Sequence, residues 1–84
     1  MKLKMIMTDV YRVTEPQYTS RVLIINDYDG EMDALKRRYW YMVADAEVIH
    51  RADTLQDLAD AIDRAYKTQD DIRMAKALRK GANR

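Results

Sequence analysis

Cysteine is missing from this 84-residue chain, so disulfides, thiolate metal sites and a thiol nucleophile are excluded. With only two glycines it has no glycine-rich phosphate loop. Ser20 is the one serine and His50 the one histidine, and no other residues complete a nucleophilic or acid–base arrangement around them. Asp45, Glu47 and Asp53 lie near His50 in sequence, but an ordinary histidine at a strand end is the simpler reading. No apolar run approaches the roughly 20 residues that span a bilayer. The N-terminal "MKLKMIMTDVYR" reaches Asp9 too soon for a secretory apolar core. Read as complete from its methionine, the chain is expected to be cytoplasmic, without cofactor or metal, and not an enzyme.

Apolar residues make up 48% of the chain and charged residues 35%, a balance that folds. Residues 1–84 make one small domain, and a chain this short buries only about 60–65% of its unfolded surface. A thin core makes homodimerisation an ordinary remedy. The net charge is only +1, yet the charges are segregated. Between Val22 and Leu35 all are acidic (Asp27, Asp29, Glu31, Asp33), and so are those from Ala52 to Asp63. From Ile72 onward all are basic: Arg73, Lys76, Arg79, Lys80 and Arg84.

Alternation of Leu3, Met5, Met7, Tyr11 and Val13 with polar residues predicts a strand over 2–13. A turn follows around Pro16, then a second, central strand over "TSRVLIIN", residues 19–26, completing a hairpin. Met32, Leu35, Tyr39, Met42, Ala46 and Ile49 have helical spacing. The aromatic and β-branched run from Tyr39 to Val43 nevertheless favours a strand at about 38–43 over a helix spanning 31–46, with a further strand at Val48–Arg51. Thr54 is an N-cap, with Asp57 in the first turn and Leu55, Leu58, Ile62, Ala65 and Tyr66 on one apolar face. Asp60 with Arg64 and Asp63 with Lys67 have the spacing of supporting ion pairs. Thr68 to Asp71 is a second cap candidate, Ile72, Ala75 and Leu78 form a shorter stripe, and Gly81 suits a helix end. The fold expected is α+β: an antiparallel sheet of three to four strands with one face covered by one or two C-terminal helices.

Three patterns bear on function. "KRRYWY" sets Lys36, Arg37 and Arg38 against Tyr39, Trp40 and Tyr41, the composition of a single-strand nucleic-acid platform. It lacks the fuller aromatic pattern of an RNA-recognition domain, and a sheet core flanked by solvated cations explains it as well. "RMAKALRKGANR" is a basic helix that could follow phosphates, or a solvated chain end. "NDYDGEMD" begins like a calcium loop, but Gly30 stands too early and Arg38 occupies the place of the closing glutamate. Its carboxylates could instead present phosphate-like charge to a basic groove.

The chain thus reads as a binding protein, with a protein partner first. In size, lack of cysteine and strand-then-helix order it is similar to small accessory proteins of phages and mobile elements, which include anti-CRISPR inhibitors of host nucleic-acid machines. That likeness spans the whole chain and transfers no residue. It implies an acidic face of Asp27, Asp29, Glu31 and Asp33, with Tyr28 and Trp40 as aromatic anchors. The competing expectation is a nucleic-acid-binding module using Arg37, Arg38, Arg73, Lys76, Arg79 and Lys80.

Overall fold

The computed structural model describes residues 1–28 and 37–82. Five strands come first: β1 (Lys2–Met7), β2 (Val10–Glu15), β3 (Val22–Tyr28), β4 (Arg38–Ala44) and β5 (Glu47–Ala52). Two helices follow, α1 (Leu55–Ala65) and α2 (Gln69–Ala82). The strands form one antiparallel meander in chain order. The α+β class is as expected, but the sheet has five strands instead of three to four. The stretch read as a single strand over 2–13 is a hairpin that turns at Thr8–Asp9, and the following strand starts at Val22, later than expected.

Each turn has a local cause. Asp9 takes a positive φ of 63°, which a short polar side chain tolerates, and its carbonyl accepts from the Asn26 amide at 2.9 Å. Between β4 and β5, Asp45 and Ala46 both have positive φ, 49° and 69°, the backbone of a tight two-residue hairpin. The β2–β3 connection contains a cis Glu15–Pro16 bond. β5 carries a bulge: Met42 faces His50 and Val43 faces Val48, so Ile49 is the extra residue.

Register sorts the sheet into two faces. Leu3, Tyr11, Val13, Val22, Ile24, Met42 and Ala44 point to the helices. There they pack with Leu58 and Ile62 of α1 and Ile72 of α2. Ile24, Met42, Leu58, Ile62 and Ile72 are fully buried, each stabilising the fold by roughly 1.5–3 kcal/mol. The predicted packing of Leu58 and Ile62 on Val22 and Ile24 is therefore present.

Thr54 caps α1, its hydroxyl accepting from the Asp57 amide at 3.0 Å. Asp60 is bridged by Gln56 at 3.0 Å, and Arg64 donates to the Asp60 carbonyl, so these residues do not form the expected side-chain pair. Asp63 faces the α-amino group of Met1 at 3.6 Å, while Lys67 lies beyond the helix end. A break at Tyr66–Thr68 separates the helices, and the second cap is reciprocal. Asp71 accepts from the Lys67 and Thr68 amides, both at 2.9 Å, and its own amide donates to the Thr68 hydroxyl at 3.4 Å. Gly81 lies inside α2 and does not end it. Among the described residues no helix is long and apolar enough to cross a membrane.

Candidate interaction surface

The helices cover one face of the sheet, and no described element covers the other. Its residues follow from the register. Lys4, Arg12, Leu23, Val43 and Val48 make one row across the strands, and Val10, Ile25, Tyr41 and Arg51 make the next. Asp27 and Tyr39 lie above them. The centre is thus aliphatic with one tyrosine, and cations stand at both margins. A shallow pocket of about 230 Å³ lies in it, lined by Ile25, Asp27, Tyr28, Tyr41, Val43 and Val48.

Tyr39 is the exception on this face. The residue is only 6% exposed, with the Arg51 and Arg37 guanidinium carbons 4.7 and 5.6 Å from its ring centroid. A tyrosine covered in this way offers little ring surface for stacking a nucleobase. Trp40 faces the helices, half-buried against Tyr11 with ring centroids 6.2 Å apart. Of the expected aromatic anchors only Tyr28 stands out from the surface, with Arg38 5.4 Å above its ring.

The expected site residues are dispersed. Asp27 is exposed on the open face, and its carboxylate accepts from the Tyr28 amide at 2.7 Å. Asp29, Glu31 and Asp33 lie outside the described residues. Tyr28 and Trp40 have the helix-side register, but Tyr28, at the end of β3, also lines the open-face pocket beside Asp27, so these two adjoin while Trp40 stands apart.

The basic set is divided too. Arg37 lies on the open face, whereas Arg38 has the opposite register and binds Asp9 and the Asn26 carbonyl. The Asp9 hydrogen bond, chiefly, raises the Arg38 pKa above its ordinary value. Arg73 pairs with Asp70 at 3.2 Å, and Lys76 with Asp45 at 3.1 Å. Asp45 follows the end of β4 and Arg38 begins it, so the two cations sit about 20 Å apart along that strand. Arg79 is exposed, near enough to Tyr66 to oppose the rise in its pKa, and Lys80 lies in the last turn of α2. These residues do not converge on one groove.

A second polar cluster joins the β2–β3 loop to the helix corner. Tyr18 donates its hydroxyl to the Tyr66 carbonyl, and burial pushes its pKa up to about 12, helped by Asp71 and Asp63. The Tyr66 hydroxyl contacts His50 Nδ1 at 3.1 Å. Asp45 is held below its ordinary value by the Ser20 hydroxyl, the Arg21 amide and Lys76. Each of these groups has a partner within the fold, so the cluster is a staple. Among the described residues no group of histidine and carboxylates could hold a metal ion.

Beside this corner, α2 and β5 leave a groove of about 300 Å³ lined by Ile49, Tyr66, Met74 and Leu78. Met74 and Leu78 are exposed there. Sequence reasoning passed over the open sheet face, although its signal was present. "VLII" and "YWYMV" are apolar at consecutive positions, so both faces of these strands are apolar. In a domain whose helices all follow the strands, one of those faces is left over.

No protein-family model, curated protein or solved structure matches the chain.

Proposed function

We propose that this chain is a non-enzymatic binding protein that docks a protein partner on its open sheet face. One observation carries the reading. A stripe of Val10, Leu23, Ile25, Tyr41, Val43 and Val48 runs across four strands on the side away from both helices. Such a stripe, rimmed by polar residues, is the ordinary form of a protein-docking surface. Size and strand-then-helix order support the accessory-protein class, with inhibition of a host nucleic-acid machine as its mode of action. The acidic stretch that begins at Asp27 adjoins this face in sequence.

The nucleic-acid alternative has less support, because Arg38, Arg73 and Lys76 are engaged by carboxylates of the same chain. The test compares Ile25→Asp and Val43→Asp with Met74→Asp, all checked for unchanged melting, in affinity purification followed by titration of the purified partner. Loss of the partner with the sheet variants and retention with Met74→Asp is the expected result. Retention by all three overturns the reading. So does tight, salt-sensitive binding of random single-stranded oligonucleotides.

A further inference from the structure

The charges around the stripe restrict what can lie on it. Lys4 and Arg12 face each other across β1 and β2 beside Leu23, both exposed, and Arg51 stands exposed at the opposite margin beside Tyr41. Asp27, at the far end of β3, is the only acid on this face among the described residues. The chain as a whole is nearly neutral at +1, whereas the described residues of this face carry more cations than acids.

A second copy docked face to face would set these cations against their counterparts over an apolar centre, where like charges are costly. Nucleic acid would find the cations, but Tyr39 is covered and Tyr41 half-buried, which leaves Tyr28, already under Arg38, as the one well-exposed ring among the described residues here. From β2 to β5 the stripe spans three strand spacings, about 14 Å. One α-helix, about 10–12 Å across with its side chains, covers most of that width.

We infer that the occupant is an amphipathic helix of a partner protein, apolar on the side facing Leu23, Ile25, Tyr41 and Val43, with acidic residues along the flank that faces Lys4 and Arg12. This rests on the docking role proposed for the same face. Its apolar residues supply the contact, and its carboxylates meet Lys4 and Arg12 at the β1–β2 margin. Charges at such a rim set orientation and association rate more than total affinity.

The full chain is titrated, by fluorescence anisotropy, into two labelled 18-residue helical peptides. Both carry leucines at helical spacing, one flanked by glutamates and the other by lysines. The acidic peptide is expected to bind, more weakly at high salt. Lys4→Glu/Arg12→Glu is expected to weaken it about tenfold, the effect of two exposed pairs lost and replaced by repulsion. Val48→Asp, at a site already 37% exposed, should weaken it as well. Equal or tighter binding of the lysine peptide, abolished by Val48→Asp, overturns the acidic inference and leaves the docking role standing. Binding of neither peptide, or binding indifferent to Val48→Asp, overturns both.

Discussion

The side-chain amide of Gln69, the first residue of α2, is hydrogen-bonded to Ser20 from both ends. Its oxygen accepts from the Ser20 amide at 3.0 Å, and its nitrogen donates to the Ser20 hydroxyl at 2.7 Å. The same oxygen accepts from the Thr19 amide at 2.8 Å. One glutamine therefore satisfies two loop amides and ties the β2–β3 connection to the helix corner. Gln69→Ala should destabilise the domain by about 1–3 kcal/mol, since three bonds are lost and a half-buried loop loses its partners. Urea unfolding measures this directly. A change below about 0.5 kcal/mol would mean that water replaces the amide at no cost.

The Tyr18 hydroxyl gives the same corner an alkaline limit. Its pKa is raised from 10.0 to about 12, chiefly by burial. A group whose folded pKa lies above its unfolded value stabilises the fold fully below the unfolded value. That stability is lost as pH rises through the folded one. The urea midpoint should therefore fall between about pH 10 and 12. In Tyr18→Phe this part of the decline should be missing, on a lower plateau at neutral pH. An identical alkaline slope in the two proteins would remove Tyr18 as its cause.

The acid limb has the opposite sign. Asp71 is depressed chiefly by the Thr68 amide of its cap, and Asp45 chiefly by the Ser20 hydroxyl. Depressed carboxylates stabilise the fold above their ordinary value of 3.8 and lose that contribution as pH falls through the lower folded values. Asp71→Ala should lower the urea midpoint at pH 7, where the cap is intact, and lower it less at pH 2. Unfolding curves at the two pH values separate this from a loss of packing, which would be pH-independent.

Legibility in the sequence followed how local each signal was. Thr54 and Thr68 could be read as caps because a cap is written in four consecutive residues. The first hairpin could not. Leu3, Met5, Tyr11 and Val13 are all odd-numbered and all have the helix-side register, and although Met7 changes face past a bulge, the odd-numbered spacing in the sequence hides a turn that no glycine or proline marks. Leu78 was misplaced for a geometric reason. Steps of three residues drift around a helix, carrying Leu78 about 120° from Ile72, and it emerges 69% exposed. The docking stripe needed tertiary information, because which face of β3 and β4 the helices cover is not written in those strands.

The turn at Asp45–Ala46 offers a stabilising substitution. Asp45 at φ 49° suits a tight hairpin, and its carboxylate is anchored by the Arg21 amide at 3.0 Å and by Lys76 at 3.1 Å. Ala46, at φ 69°, has no such compensation, because its Cβ crowds the backbone in the left-handed region. Ala46→Gly removes that crowding and gives the Asp-Gly pair this turn prefers. The relief should outweigh the added flexibility of the unfolded chain and raise stability by about 0.5–1 kcal/mol, with an unchanged slope against urea. Asp45→Gly should do the reverse, since it frees the backbone but releases Arg21 and Lys76. If both substitutions stabilise, the anchor contributes nothing and the turn is limited by backbone strain alone. If Ala46→Gly destabilises, the left-handed backbone at Ala46 is not the strained element of this hairpin.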